Sequence, residues 1–223
     1  MIIAIDGPSG AGKSTLAKGL AKKLSIIYVD TGALYRTIGL YVYNKGIKMD
    51  EIDKIISALD EIDIKLDFVD GNQKVLLNGN DVGDSIRTQN IAAYASAVSA
   101  IPKVREFLLD TQRGIAANNS IVMDGRDIGT VIFPDADVKI FLTADDTSRA
   151  KRRFDELTQK GTITTLEQVL GEIRERDHND STRATAPAIA ADDAIILDNS
   201  SMTLEESEIA ALKIINSKLN GEI

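Results

Sequence analysis

The chain has 223 residues and a net charge of −8, with a pI near 4.8. This length suits one α/β domain with a modest insertion. The absence of cysteine excludes a disulfide framework or a thiolate metal site, and the single histidine, His178, excludes a histidine-cluster zinc site. The acidic balance argues against sequence-independent nucleic-acid binding. The start lacks a basic leader and no apolar run approaches membrane-spanning length, so we expect a cytoplasmic protein without membrane association.

Apolar runs alternate with helical patterns along most of the chain, which predicts a parallel sheet covered by helices on both faces. The predicted strands are residues 2–5, 26–30, 120–124, 138–142 and 194–197. The predicted helices follow the phosphate-binding motif and then span 33–46, 50–62, 88–100, 102–118, 147–160, 166–177 and 203–219. Between them, 64–82 alternates apolar and polar residues around the turn signals "DGNQ" and "NGN", which predicts a small antiparallel hairpin or three-stranded patch.

The first strand leads into "GPSGAGKS", residues 7–14, which fits the phosphate-binding loop (P-loop) pattern and opens a helix. Glycines there let successive backbone N–H groups face phosphate, Lys13 would reach the β- and γ-phosphates, and the Ser14 hydroxyl would ligate Mg²⁺. The expected ATP-binding residues are Gly7, Pro8, Ser9, Gly10, Ala11, Gly12, Lys13, Ser14 and Thr15. The motif identifies a nucleoside triphosphate but not an acceptor.

Arginines concentrate in the second half of the chain. Arg149, Arg152 and Arg153 have i, i+3 and i+4 spacing on one predicted helix, so we expect them to share a face. The loop "GTIT", residues 161–164, could be the tip of a mobile lid that brings arginines onto the transferring phosphoryl group and excludes water. Beside a P-loop, such arginines suggest bidentate recognition of a second phosphate.

A phosphorylated acceptor would explain this composition. The oxygen of a phosphate monoester is already anionic near neutral pH, so no general base is required, and the enzyme must instead hold two anions in line. Two alternatives stay open on these grounds. One is a P-loop kinase for another small acceptor, such as shikimate or a coenzyme precursor, and the other is a nucleotide-binding regulator that transfers nothing. A GTPase is disfavoured because "NKGI" at 44–47 lacks the acid of a guanine-specifying motif.

Several segments together resemble the bacterial cytidylate kinase family, in the family's order and over nearly the whole chain. They are "GPSGAGKS", "DTGALYR", "RTQNIAAYASAVS", "PKVREFLLDTQR", "DGRDIGTVIFPDADVKIFLTA" and "RERDHNDSTRATAP". The resemblance implies transfer of the γ-phosphoryl group of ATP to CMP or dCMP with Mg²⁺. It also implies a P-loop NTPase-type three-layer α/β/α fold with a parallel central sheet, a small antiparallel β insertion in the acceptor-binding region and a helical lid.

The resemblance also implies roles for particular residues. Ser96, Arg105 and Asp127 would contact the cytosine base, with Thr31 beside that pocket. Cytosine offers an amine donor and two acceptors, so an acid and an arginine complement it. Uracil replaces the amine by a carbonyl that a carboxylate would repel. An unmatched buried contact costs about 1–3 kcal/mol, which predicts a preference for cytosine of roughly tenfold to a hundredfold.

For the sugar and phosphate of the acceptor, the resemblance implies that Arg176 and Asp180 hold the ribose hydroxyls. Arg36, Arg126 and Arg183 would hold the acceptor phosphate. The groups expected to act in catalysis are Lys13, Arg126, Arg153 and Arg183.

Two acids and one short segment receive weaker expectations. Asp124 would orient its neighbours or cap a strand end, and Asp30 would either support Mg²⁺ through water or cap a strand end. The segment "DHND" departs from the family's denser run of acids and arginines, so we expect His178 and Asn179 to be exposed loop residues without a role.

We expect a single domain, acting as a monomer, with three parts. The core would comprise 1–40, 84–145 and 185–223, the acceptor-binding insertion about 41–83, and the lid about 149–183.

Overall fold

Parallel β-strands alternate with α-helices through most of the chain in the computed structural model, which describes residues 1–69 and 72–222. The helices are α1 Lys13–Leu24, α2 Thr31–Asn44, α3 Ile52–Ala58, α4 Gln89–Ser99, α5 Pro102–Ala116, α6 Asp146–Gln159, α7 Leu166–Thr182 and α8 Leu204–Leu219. The strands are β1 Ile2–Asp6, β2 Ile27–Asp30, β3 Ile64–Val69, β4 Asn72–Leu77, β5 Asn80–Asp81, β6 Ile121–Asp124, β7 Val138–Thr143 and β8 Ile195–Asp198. No helix of the described ranges is both long and apolar enough to cross a bilayer.

Residues 1–26 and 120–223 form one compact unit, and residues 27–119 form a second. In the first unit, parallel strands lie in the order β6-β1-β7-β8. The register pairs Ile5 with Asp124 on one side of β1 and with Ile140 on the other. Apart from Ile2, which is half-buried, the apolar residues of β1 and β6 are fully buried, as expected for strands covered on both faces, and each strand ends in an aspartate. The carboxyl ends of the two strands therefore bring Asp6 and Asp124 to one edge of the sheet, next to the P-loop.

The second unit has its own apolar core, built from α2, α4, α5 and the antiparallel sheet β3-β4-β5. The prediction of a three-stranded patch is confirmed. Asn78 and Gly79 both have positive φ, at 49° and 80°, as a tight turn between antiparallel strands requires. Asp70 and Gly71, the first two residues of the predicted "DGNQ" turn, lie outside the described residues.

Helices α6 and α7 pack against each other through Ala150, Val169 and Ile173, with the loop 161–164 between them as predicted. The predicted end of α7 at Asp177 is wrong, because the helix continues to Thr182. His178 and Asn179 are therefore exposed helix residues and not loop residues. A hydrogen bond from Arg126, 54 residues away, to Asp180 stabilises a final turn whose residues have modest intrinsic helix propensity.

Candidate active site

The P-loop begins at a position that only glycine can occupy. Gly7 has a φ of 146°, and a Cβ added there would lie 2.0 Å from the carbonyl oxygen of Leu142 on β7. At the other end of the loop, Gly12 adopts a left-handed conformation with a φ of 90° and immediately precedes Lys13, the first residue of α1. The glycines thus let the backbone leave β1 tightly and enter the helix with its N-terminus facing the loop.

Two residues of the helical pair α6–α7 hold the middle of the P-loop. The Arg149 guanidinium donates to the carbonyl oxygen of Ser9 at 2.8 Å and to that of Ala144 at 2.9 Å. Asp177 accepts from the Ser9 backbone N–H at 2.9 Å and forms an ion pair with Arg149. Ser9 is therefore hydrogen-bonded through both backbone groups, and the loop is fixed from outside.

Two further carbonyl oxygens of the loop are also bound. The Lys13 ammonium donates to Pro8 at 2.7 Å, and the Asn199 side-chain amide donates to Ala11 at 3.0 Å. Arg152 in turn donates to the Asn199 side-chain oxygen at 3.0 Å. Since these carbonyl groups have partners and the Ser9 N–H is bound by Asp177, the other backbone amides are the groups that the loop offers to phosphate.

The Lys13 ammonium is buried in a strongly charged environment. Burial is the largest cause that lowers the pKa of Lys13, and the guanidinium of Arg126 lowers it further. Asp124 acts in the opposite direction, and the net result lies well below the ordinary value. This is the electrostatic setting of a cation that is incompletely balanced by acids, which favours an incoming anion.

Ser14, the residue after Lys13, is hydrogen-bonded to Asp124. The Ser14 hydroxyl donates to Asp124 Oδ2 at 2.8 Å. Hydroxyl and carboxylate oxygens suit Mg²⁺, which kinases hold through one or two protein ligands and the substrate phosphates. The contact with the P-loop serine is compatible with the expectation that Asp124 orients its neighbours.

Three arginines lie close to the carboxylate of Asp180 on α7. Its carboxylate lies 2.9 Å from Arg126 Nε, 3.9 Å from Arg176 Nε and 3.7 Å from Arg183 NH1. Arg183 NH2 also lies 3.7 Å from Asp127 Oδ1. Burial acts to raise the pKa of Asp180, but Arg126, Arg176 and Arg183 outweigh it and hold that pKa below its ordinary value. Five residues predicted from separate motifs therefore form one cluster, in which three guanidinium groups face two carboxylates.

In the second unit, Asp30 organises the start of α2. Its side chain accepts from the Ala33 N–H at 3.0 Å, as a helix cap, and from Arg36 at 2.6 Å. Asp30, the last residue of β2, thus caps the following helix, whereas the expectation was a strand-end cap. Thr31, the first residue of the helix, is buried beside this pair.

Arg105 of α5 lies among α2 and α4 residues of the second unit. Its guanidinium stands 5.4 Å from the ring centroid of Tyr35 and donates to the Ser99 carbonyl oxygen at 3.1 Å. The Ser99 hydroxyl donates to the carbonyl oxygen of Ser96 at 2.8 Å. Arg105 and Ser96, which the sequence assigned to one role, are therefore joined through Ser99.

The three arginines of α6, which we expected to share a face, have different partners and different exposure. Arg149 is buried against Ser9, whereas Arg152 reaches Asn199. Arg153 pairs with Glu156 at 2.8 Å, and 42% of its side chain is exposed. The helical spacing places the three side chains near one another, but Arg149 bonds to the P-loop and Arg152 bonds to Asn199.

Sequence reasoning gave no role in the site to several residues that contact it, namely Asp6, Asp177, Asn199 and Tyr35. A signal for Asp6 and Asp124 was present, because each is an acid at the end of an apolar strand. Asp177 also lies in a segment quoted for its arginines. Tyr35 lies in the quoted segment "DTGALYR". No comparable signal marks Asn199, whose contacts depend on the fold.

Known proteins are similar to this chain over almost its whole length. A family model described as cytidylate kinase matches residues 3–217. The chain is 50% identical over 221 residues to the cytidylate kinase of Caldicellulosiruptor saccharolyticus, covering 99% of this chain and 98% of that protein. It is 42% identical over 220 residues to the cytidylate kinase of Pasteurella multocida, covering 99% and 97%. The crystal structure of an uncharacterized protein from Eubacterium ventriosum shares the fold, with a TM-score of 0.52, 16% identity and coverage of 97% of this chain and 99% of that one. The chain therefore belongs to the cytidylate kinase family.

Proposed function

We propose that this chain transfers the γ-phosphoryl group of ATP to CMP or dCMP, giving CDP or dCDP and ADP. Membership of the cytidylate kinase family supports the reaction class. The observation that carries the proposal is the convergence of Arg126, Arg176 and Arg183 on Asp180, with Asp127 beside Arg183. No feature of the described residues favours either alternative, the kinase for another acceptor or the regulator without transfer.

The acceptor phosphate is proposed to bind Arg126 and Arg183, with Arg36 as a third contact. Arg126 and Arg183 already face the same carboxylate, so their charges are oriented before an anion arrives. A nucleoside monophosphate is largely dianionic at neutral pH, because its second pKa lies near 6. Its oxygen can therefore attack without a general base, and the arginines lower the repulsion between the two phosphates.

Base selection is proposed to depend on Asp127, with Arg105 and Ser96 as further contacts. The Asp127 side chain is only 5% exposed, so a mismatched carbonyl in front of it would not be screened by bulk water. Arg176 and Asp180 are proposed to contact the ribose, and Thr31 to lie at the base. Asp180 would then serve both the sugar and the arginines around it.

Mg²⁺ fits the pair formed by Ser14 and Asp124, whose oxygens lie 2.8 Å apart. These two residues would hold the ion, and Asp124 would then bind it together with the P-loop hydroxyl. When bound, Mg²⁺ supplies neutralisation of charge on the β- and γ-phosphates. The chain's own contribution is to fix both ligands at the ends of β6 and the P-loop.

Phosphoryl transfer is proposed to use Lys13 and Arg153 in addition to the acceptor arginines. Arg153 is held by an exposed ion pair with Glu156, and such pairs are worth about 0–1 kcal/mol. Opening that pair therefore costs little, so Arg153 is available to a phosphate when the proposed lid, about 149–183, closes.

The proposed acceptor-binding insertion is about 41–83. We also propose a monomer in the cytoplasm, without nucleic-acid or membrane partners, which the net charge of −8 supports.

The deciding experiment is a phosphotransfer assay with ATP and Mg²⁺ across CMP, dCMP, UMP, AMP, GMP and dTMP. We expect turnover with CMP and dCMP, weaker turnover with UMP and little with the others. Activity confined to AMP or dTMP, or ATP binding without transfer to any acceptor, would refute the proposal.

The base-reading role has its own test in Asp127→Ala. Removing the carboxylate should lower the CMP-to-UMP ratio of kcat/KM by roughly tenfold to a hundredfold, with little change in ATP affinity. An unchanged ratio would show that another group reads the base.

A further inference from the structure

The last residue of β1, Asp6, is a buried acid that the proposed reaction does not use. It immediately precedes Gly7 of the P-loop, and the residue is 5% exposed. Its Oδ1 accepts from the Ile128 N–H at 2.8 Å, and its Oδ2 accepts from the Gly129 N–H at 2.7 Å. These two amides follow directly after Asp127. One carboxylate therefore joins the start of the P-loop to the backbone of the proposed base-reading residue.

A carboxylate is the side chain that this position requires. Two consecutive N–H groups point at Asp6, so two acceptor atoms are needed, and ionised Asp provides them. Asn would supply one acceptor and turn an NH₂ donor toward the second amide. Ala would supply neither, leaving two buried donors that native proteins almost always pair.

The segment after Asp127 also packs closely on Asp6. A Cβ added to Gly129 would lie 3.4 Å from Asp6 Oδ2 and 3.1 Å from Lys139 Cδ. The Lys139 ammonium donates to Asp193 at 2.8 Å and to the Pro134 carbonyl oxygen, so its charged end is engaged elsewhere. The turn has little space to shift without losing its hydrogen bonds to Asp6.

Keeping this carboxylate charged has a cost in the folded protein. Burial raises the pKa of Asp6 to about 6, although the hydrogen bonds from Gly129 and Ile128 and the charge of Lys13 act to lower it. The neighbouring charge of Asp127 raises it further. Buried charges with a stability cost cluster at functional sites.

We propose that Asp6 is a positioning residue for base selection, which holds the backbone after Asp127 so that the Asp127 carboxylate meets the cytosine amine. The inference rests on the proposed role of Asp127. Asp6 touches neither substrate. Its effect on selectivity must therefore pass entirely through Asp127.

A double-mutant cycle on the CMP-to-UMP ratio of kcat/KM tests this dependence. The four proteins are the wild type, Asp6→Asn, Asp127→Asn and the double variant. Losing one of two backbone contacts should lower the ratio in Asp6→Asn by roughly threefold to tenfold. The double variant should have the same ratio as Asp127→Asn alone. A merely structural role would lower turnover of CMP and UMP together and leave the ratio unchanged.

Asp193→Asn is the matched control, because it also removes the charge of an acid. The Asp193 side chain pairs with Lys139, is 62% exposed and lies far in sequence from the Ile128 and Gly129 amides. This variant should retain the wild-type ratio. Gly129→Ala is the second variant, which crowds the same turn while leaving the Asp6 charge intact, and it should also lower the ratio if Asp6→Asn folds poorly.

The outcomes separate the inference from the function on which it rests. A lowered ratio in Asp127→Asn with a wild-type ratio in Asp6→Asn and in Gly129→Ala would overturn the inference alone. Multiplicative losses in the double variant would do the same. An unchanged ratio in Asp127→Asn would refute base reading by Asp127 and, with it, this inference.

Discussion

Single carboxylates at strand ends determine much of the chemistry of this site. Asp6 accepts two backbone N–H groups, and Asp124 accepts the Ser14 hydroxyl. Lys13 and Ser14 could be identified from the sequence as candidate phosphate and Mg²⁺ contacts, because the P-loop pattern is local and specific. The sequence did not predict the partners of Asp6, which are 122 and 123 residues away. Local patterns identify the phosphate end of the site, whereas the contacts that orient it depend on strand order.

The titration of Asp6 gives a prediction for stability. Its pKa in the folded protein is about 6, against an ordinary value of 3.8. The folded protein therefore binds this proton more tightly than the unfolded chain, so the contribution of Asp6 to the free energy of unfolding should fall as pH rises from about 4 to about 7. We expect the free energy of unfolding of Asp6→Asn, relative to wild type, to increase by about 3 kcal/mol over that range. Urea unfolding at a series of pH values measures it.

The control for this titration must leave the charges facing Asp6, which are Lys13 and Asp127, unchanged. Asp193→Asn satisfies that condition, and its stability difference from wild type should not rise with pH in this window. A constant difference for Asp6→Asn between pH 4 and 7 would contradict the raised pKa.

Arg183 offers a second prediction at the scale of one residue. If it binds the acceptor phosphate, Arg183→Ala should raise KM for CMP, dCMP and UMP by the same factor. A charge-assisted hydrogen bond is worth about 1.5–3 kcal/mol, so that factor is roughly tenfold to a hundredfold. Steady-state kinetics with the three acceptors measure it.

Arg174→Ala is the comparison for Arg183→Ala, since Arg174 is exposed and pairs with Asp146. It should leave all three KM values near wild type. Selective loss of one acceptor in Arg183→Ala would show that Arg183 reads the base.

At the scale of elements, α6 and α7 act as a brace on the P-loop as well as a candidate lid. The helices, strands and the antiparallel sheet were predictable from apolar periodicity and turn residues. The last turn of α7 was not, because its polar residues carry no helical signal and Asp180 is fixed by Arg126, 54 residues away. The partners of Arg149 and Arg152 were unpredictable for the same reason.

Substitution of Arg149 and of Arg153, both on α6, should therefore have different effects on the kinetics. Arg149→Ala removes donors to Ser9 and Ala144 and leaves Asp177 without its ion-pair partner, so we expect KM for ATP to rise about tenfold. Arg153→Ala should leave KM for ATP near wild type and lower kcat. Kinetics with varied ATP at saturating CMP separate the two. Equal effects of both substitutions on KM for ATP would contradict the different positions of these arginines.

The whole molecule is acidic, yet three arginines lie close together around Asp180. A net charge of −8 coexists with Arg126, Arg176 and Arg183 around one carboxylate. Composition alone disfavours a polyanion partner, while the local cluster favours a small anion. The two observations are consistent because the arginines are held close together by Asp180.

Ligand binding should be visible in the stability of the folded chain. At a CMP concentration 100 times its dissociation constant, the free energy of unfolding should rise by about 2.7 kcal/mol. UMP at the same concentration, if bound tenfold to a hundredfold more weakly, should add only about 1.4 to 0.4 kcal/mol. Thermal unfolding with each nucleotide measures the difference. Asp127→Asn should bring the two values together, and equal stabilisation of the wild type by CMP and UMP would contradict base selection.

The antiparallel strands that interrupt the α/β pattern are an integral part of the second unit. Ile64, Val75 and Leu77 belong to the same apolar core as Leu34 of α2. The side chain of Gln73 on β4 also binds both backbone groups of Asp30, accepting from its N–H at 2.8 Å and donating to its carbonyl oxygen at 3.2 Å. A shortened enzyme engineered without residues 64–82 would thus lose part of its core and the anchor of the helix that carries Arg36. Residues 64–82 look like a separate insertion in the sequence, but in the fold they cannot be removed independently. Evolution toward a smaller kinase would have to rebuild α2 at the same time.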